Sequence, residues 1–461
     1  MSTDQGRSTA AAQDVVPFRE AVRAWFAISL QTFGGPAGQI AVMQRELVER
    51  RRWIGQRRFL HALSFCTLLP GPEAQQLAIY VGWLLNGLRG GLVAGVLFVL
   101  PGMVALLALS VLYVTAGDTG AVAALFAGLA PAVLAIVAHA LLRVGTKALG
   151  HPALVALAVG SFVALSAFAV PFPVVVAAAA VIGWGLGRFV PSTMRPPASG
   201  EADDATPALV PDDALHTAAP GRSHALKVLG VGLLAWGVPV AAAAWLTGAQ
   251  GVLTQQSLFF SGTALVTFGG AYAVLAYVAQ QAVGVYGWLA PGEMVRGLAL
   301  AETTPGPLVM VVQFVAFLGA YRDPGALDPW VAGVLASLLV TWVTFVPCFV
   351  FIFVGAPYVE RLRGNHALSS ALTGITAAVV GVIANLAVYF AVHTLFDRTD
   401  VVRAGPLRRE LPDGGTLQPV PLAIALVAGV LLFRLRWSVL RALGVCAAAG
   451  LAVGGVQALL V

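Results

Sequence analysis

The sequence predicts an all-α polytopic membrane protein whose two homologous halves are inverted-topology repeats with broken or re-entrant helices. Composition, an internal duplication and an uneven placement of arginine carry that reading. Hydrophobic residues fill 59% of the 461 positions and charged residues only 10%, against about 25% charged in an average soluble domain. Uncharged runs at 90–117, 119–142, 152–187, 228–292, 329–359, 364–396, 414–433 and 442–461 each hold one or two lengths of the about 20 apolar residues that cross a bilayer as a helix.

The duplication is read from three landmarks. Phe33-Gly34-Gly35-Pro36 leads to Pro70-Gly71-Pro72-Glu73, and Phe268-Gly269-Gly270 leads to Pro305-Gly306-Pro307. A tryptophan follows the phenylalanine by 20 positions in both copies, Trp53 and Trp288, so one offset of 235 superposes all three without a gap. Further on, Gly128-Leu129-Ala130-Pro131-Ala132-Val133 pairs with Gly374-Ile375-Thr376-Ala377-Ala378-Val379 at an offset of 246, which sets His139 opposite Asn385.

Orientation comes from arginine. Arg45, Arg50, Arg51, Arg52, Arg57 and Arg58 crowd one loop, which is therefore cytoplasmic by the positive-inside rule. The equivalent segment, 280–293, has no lysine or arginine. The second copy is accordingly expected upside down, a plan that puts a transporter's site near the bilayer midplane where the repeats meet.

In chain order, residues 1–16 are a polar tail without the charged-then-apolar pattern of a cleaved signal peptide. The first repeat covers 17–190. It opens with a helix from about Val16 to Phe33, the Gly34-Gly35-Pro36 break and a helix from about Ala37 to Glu49. A helix over 59–69, interrupted by Pro70-Gly71-Pro72, and its continuation over 73–88 read as a re-entrant hairpin with its tip in mid-membrane. Spans at 90–116, 119–142, 152–170 and 173–190 follow, with Arg143, Lys147, Arg188 and Arg195 on the cytoplasmic side. Residues 191–222, rich in Pro, Ala, Asp and Glu, are expected to be a disordered linker. A connecting helix within 223–250 then inverts the second repeat, 251–461. That repeat has broken segments at 254–287 and 291–320 and spans near 329–357, 366–395, 418–433 and 437–460. Arg361 and Arg363 fall inside; the polar loop 397–415 falls outside although it holds Arg398, Arg403, Arg408 and Arg409, against the rule.

The breaks are where chemistry is expected. Proline removes an amide donor and glycine relaxes the backbone, and free backbone groups are tolerated at membrane depth only beside protein or a polar cavity. Two matched pairs of breaks therefore imply one shared cavity. Helices starting at Ala37, Glu73, Tyr272 and Leu308 would turn amide donors and positive dipole ends toward it, an anion-binding environment with few formal cations. The candidate ligands are Gly34, Gly35, Gln39, Pro70, Gly71, Pro72, Gln75 and Gln76 in the first copy. In the second they are Gly269, Gly270, Tyr272, Thr303, Thr304, Pro305, Gly306 and Pro307. Their polar side chains serve equally as glue between membrane helices. Glu302 and Glu73 are the candidates for proton coupling, because an intramembrane carboxyl is costly and functional by default. Glu73, directly after Pro72, also fits a helix-capping role. His139 fits a core residue.

Other classes find little support. Cys66, Cys348 and Cys446 lie far apart in apolar runs, so no disulfide framework or CxxC metal site is expected. No nucleotide or metal motif is present, hence no cofactor and no enzyme is expected. No basic stripe with aromatics points to nucleic acid.

On these residues the chain resembles the long, two-domain form of the chromate ion transporter family. The resemblance rests on Phe33-Gly34-Gly35-Pro36 with Gly38-Gln39-Ile40-Ala41, Trp53, Leu69-Pro70-Gly71-Pro72-Glu73-Ala74 with Gln76-Leu77 and Gly82, Pro101-Gly102, Phe268-Gly269-Gly270, Trp288 and Thr304-Pro305-Gly306-Pro307. It implies export of chromate from the bacterial cytoplasm across the inner membrane, driven by the proton gradient or the membrane potential. Sulfate, another tetrahedral dianion, is the natural look-alike. The partners expected are such an oxyanion and the lipid bilayer, and a homodimer is compatible with the reading. The alternatives are a sulfate or other oxyanion transporter and an oxyanion channel.

Overall fold

The computed structural model describes residues 14–117, 119–190, 192, 209–210, 222–356, 365–404 and 407–460. Most of the polar tail and of the linker, with Arg195, Arg361 and Arg363, lies outside the described residues.

The first copy begins with α1 (Phe18–Ser29), α2 (Gly35–Gln44), whose last turns widen into a π-helix over Arg45–Arg50, and α3 (Gln56–Cys66). α4 (Glu73–Ala116) is continuous in hydrogen bonding but leaves helical geometry at Asn86 and Gly87. There the chain reverses. A Cβ on Gly82 would meet the Gly90 carbonyl at 2.5 Å, and one on Gly91 the Ile79 carbonyl at 3.0 Å. The segments 73–85 and 88–116 are thus two arms of a hairpin packed backbone to backbone through small residues. α5 (Gly120–Ala148), α6 (Pro152–Phe168) and α7 (Phe172–Phe189) complete this copy.

α8 (Arg222–Thr247) has no counterpart in the first copy. Leu233, Leu234, Trp245 and Leu246 stand exposed on it, as a helix facing lipid requires. The second copy repeats the plan with α9 (Val252–Val266), α10 (Ala271–Gly284), α11 (Glu293–Thr303), a 3₁₀ turn (Leu308–Met310), α12 (Val311–Arg322) and α13 (Pro329–Gly355). α14 (His366–Leu395), α15 (Pro419–Gly429) and α16 (Val439–Leu460) close it. Among the described residues, seven helices are long and apolar enough to cross a membrane. The protein is a multi-pass, helical membrane protein.

The polar loop over 397–415 holds a two-stranded antiparallel hairpin, β1 (Thr399–Ala404) with β2 (Leu407–Pro412). The β-branched Thr399, Val401 and Val402 favour extended backbone there. In the linker, Leu209 and Val210 donate to the carbonyls of Arg52 and Trp53 at 3.1 and 3.0 Å. That short bridge lays Val210, 6% exposed, into the apolar cluster below the arginine loop.

The two copies interlock. α5 of the first packs against α15 and α16 of the second, while α14 of the second packs against α6 and α7 of the first. The close points are glycines. A Cβ on Gly128 would meet the Cys446 carbonyl at 2.1 Å, and one on Gly374, its repeat partner, the Ala179 carbonyl at 2.4 Å. His139, only partly buried, rests edge-on against Phe433, 5.4 Å between ring centres. A polar cluster ties the copies at one end. Arg322 grips Glu293 through two 2.7 Å hydrogen bonds, and Tyr113 of α4 donates to the same carboxylate at 3.0 Å. The segment 280–293, which lacks basic residues of its own, thus takes a cation from Arg322 at Glu293, while Arg296 donates to Tyr113 at 3.2 Å.

Candidate anion site at the four breaks

Each break is made by glycine where the backbone turns left-handed. Gly34 and Gly269 have φ of +80° and +74°, Gly35 and Gly270 +71° and +104°, and Gly71 and Gly306 +119° and +101°. Matched positions share a positive φ that side-chain-bearing residues rarely take. These turns end one helix and start the next across four to six residues.

The breaks of one copy are hydrogen-bonded to those of the other. The Gly71 amide donates to the Thr267 carbonyl at 2.8 Å, and the Gly306 amide to the Thr32 carbonyl at 3.0 Å. The offset of 235 carries Gly71 to Gly306 and Thr32 to Thr267, so the two bonds exchange under it. Contacts of the form i to j and j to i are those of a local two-fold relation. Gln39 adds a side-chain bond from its Nε2 to the Gly306 carbonyl. Gly102 makes room for the second Pro-Gly-Pro, since a Cβ there would meet the Pro305 carbonyl at 2.4 Å.

Between the crossed breaks lies a cavity of about 20 Å³. Every one of the four helix starts reaches it: Pro36 and Gln39 from α2, Pro72 and Glu73 from α4, Gly270 and Ala271 from α10, Pro307 and Leu308 from the 3₁₀ turn. Its volume fits one water molecule, so anything larger would need these elements to part. Among the described residues the first-turn amides of Ala74, Gln75, Ala271, Leu308 and Val309 meet no acceptor. Each helix start also carries roughly half a positive charge.

The sequence-based candidates divide into three groups. Gln39, Pro72, Glu73, Gly270 and Pro307 line the cavity. Gly34, Gly35, Pro70, Gly71, Gly269, Pro305 and Gly306 shape the breaks behind it; the amides of Gly71 and Gly306 are engaged by the other copy. The remaining side chains have other partners. Thr303 and Thr304 return their hydroxyls to the Leu300 and Ala301 carbonyls at 2.8 and 3.0 Å, and Gln76 braces its own tip through the Pro70 carbonyl at 2.7 Å. Tyr272 donates to Glu302 at 2.6 Å, away from the cavity wall. Gln75 is the exception, fully buried with neither amide atom paired.

Sequence reasoning did not find Pro36, Ala74, Ala271, Leu308 and Val309 as wall residues. Each lies within three positions of a break, and that adjacency was the available signal. Cys348 was also missed: its Sγ would lie 2.8 Å from a Cβ on Gly71, so α13 floors the first tip.

Comparisons with known proteins agree with this duplicated plan. A family model described as chromate transporter matches residues 19–184 and 254–451, leaving out the linker and α8. A chromate transport protein of Pseudomonas aeruginosa is 31% identical over 365 residues, 77% of this chain and 76% of its own. One from Cupriavidus metallidurans is 28% identical over 406 residues, 86% and 90% of the two chains. A probable chromate transport protein of Synechococcus elongatus is 26% identical over 409 residues, 87% and 91% of the two. No solved structure matches. With both copies matched in register and the shared breaks forming one centre, the chain belongs to the chromate transporter family.

Proposed function

We propose that the protein is a secondary transporter that exports a tetrahedral oxyanion, chromate, from the bacterial cytoplasm across the inner membrane. The observation that carries this reading is the cavity at which four helix starts, two from each copy, converge between crossed breaks. The anion would replace its hydration shell with first-turn amides and the Gln39 and Gln75 side chains, within the summed dipoles of four helix ends. The relatives' names supply chromate; sulfate, with the same shape and charge, is the expected competitor.

Movement of one copy against the other would open the cavity to each side in turn. The inverted arrangement is supported by the arginine asymmetry and by α8, an extra apolar helix that would add the crossing needed to turn the second copy over. Coupling to protons would fall to Glu73 or Glu302. In de-energised inverted membrane vesicles given an inward chromate gradient, the protein should admit chromate, and excess sulfate should block that entry. Absence of any oxyanion entry, with folded protein present, would refute the reading.

A further inference from the structure

Two carboxyls lie near the crossed breaks, and the structure treats them differently. Glu302, 2% exposed, is held by the Tyr272 hydroxyl and forms no part of the cavity wall. Glu73 lines the cavity directly. Its carboxyl has no hydrogen-bond or ion-pair partner among the described residues.

The charges around Glu73 can be counted element by element. α2 and the 3₁₀ turn carry no titratable side chain. α13 presents Cys348, beneath Gly71, and α3 ends at Cys66. Arg57 and Arg58 sit at the other end of α3, and His61 at its middle. Arg19, Glu20 and Arg23 of α1 lie toward the Asn86 turn, where Asn86 donates to the Val16 carbonyl. α10 contributes Tyr272, committed to Glu302. No cation faces Glu73 from these elements.

Among the wall residues the positive field therefore comes from helix ends, with Arg143 of α5 lying toward Tyr272 behind the wall. Four ends at roughly half a charge each supply roughly two positive charges. That matches a dianion. It does not match a dianion together with an ionised carboxylate in the same small space.

On the reading of this cavity as the anion site, we propose that the oxyanion occupies it only when Glu73 carries a proton, so that dianion and proton cross together in the same direction. A cation would compete with the proton for a carboxylate and the two would exchange. For an anion the relation is reversed, because protonation removes the repulsion and adds an O–H donor. The cargo is then a dianion plus one proton, with a net charge of −1. An inside-negative potential expels it, while an alkaline interior opposes it. The membrane potential is the driver of export and the pH gradient is a load.

The test uses the purified full chain in liposomes that enclose a pH-sensitive dye, with potential clamped by potassium and valinomycin. An inward gradient of sulfate, which takes up no proton near neutral pH, is applied; chromate is used at a pH where it is wholly the dianion. The expected result is lumen acidification in step with anion entry. The apparent affinity should fall by about tenfold per pH unit above the titration of Glu73. In Glu73→Gln the anion should enter with neither acidification nor that pH dependence. Wild-type entry with an unchanged or more alkaline lumen would overturn the inference and leave the transport reading standing. No entry of either anion would overturn both. If Glu73→Gln does not fold, the sign of the wild-type lumen change decides by itself.

Discussion

The amide of Gly306 donates to the carbonyl of Thr32 at 3.0 Å, and the same bond recurs 235 positions away, from Gly71 to Thr267 at 2.8 Å. Each Pro-Gly-Pro tip is thereby fastened to the Phe-Gly-Gly break of the other copy. The two tips share this backbone bond but differ in what lies beneath them. A Cβ on Gly71 would meet Cys348 Sγ at 2.8 Å, whereas one on Gly306 would meet Gly102 Cα at 3.4 Å, an ordinary contact.

Alanine at either glycine is expected to cost about 1–3 kcal/mol for the left-handed backbone alone. Gly71→Ala should lower the melting temperature in detergent further than Gly306→Ala, because it adds the clash. Cys348→Ala, combined with Gly71→Ala, should recover the difference and leave the backbone cost. Equal melting of all three variants would show that α13 does not press on the first tip.

The Glu293–Arg322 pair should respond unequally to loss of either partner. The Glu293 side chain is 9% exposed and that of Arg322 45%. Freed of its partner, Arg322 can turn to water, so Glu293→Gln should cost about 1 kcal/mol. Arg322→Met instead strands a buried carboxylate and should cost about 3 kcal/mol. Glu293→Gln should then rescue Arg322→Met. Thermal unfolding of the three variants checks the order, and a milder Arg322→Met would contradict it.

Tyr272 and Glu302 should be energetically coupled. Removing the hydroxyl leaves a buried carboxyl without its donor, at about 1–3 kcal/mol. Once Glu302 is methionine, Tyr272→Phe should be nearly neutral. A double-mutant cycle on unfolding should give about 0.5–3 kcal/mol of coupling; additive effects would mean that the 2.6 Å bond contributes nothing.

What could be read from the sequence was the part that repeats. The matched Phe-Gly-Gly, Trp and Pro-Gly-Pro fixed the break positions, and apolar runs bounded by glycine, proline or charge located α4 to α7 and α13 to α16 within a few residues. Pairings between distant side chains had no such signal. Tyr113 meets Glu293 across 180 positions and Gln39 meets Gly306 across 267. Residue type also misled at Thr303 and Thr304, because a hydroxyl in an apolar helix can satisfy itself on the carbonyl three residues back. The hairpin at 399–412 lay hidden in a stretch read only for its charge. Glu73 and Glu302 looked alike as intramembrane carboxyls; only the neighbours distinguish them, and those come from other elements.

The central claim is that the oxyanion binds where the four helix starts meet. The most direct test is equilibrium binding of radiolabelled sulfate or chromate to the purified protein, compared with Ala271→Leu. Ala271 lines the cavity from a helical position, so the three added carbons of leucine overfill its one-water space without changing a break glycine. The account predicts that the variant folds, melts within a few degrees of wild type and loses binding at least tenfold. Unchanged affinity in a folded Ala271→Leu protein would place the anion elsewhere and contradict the account.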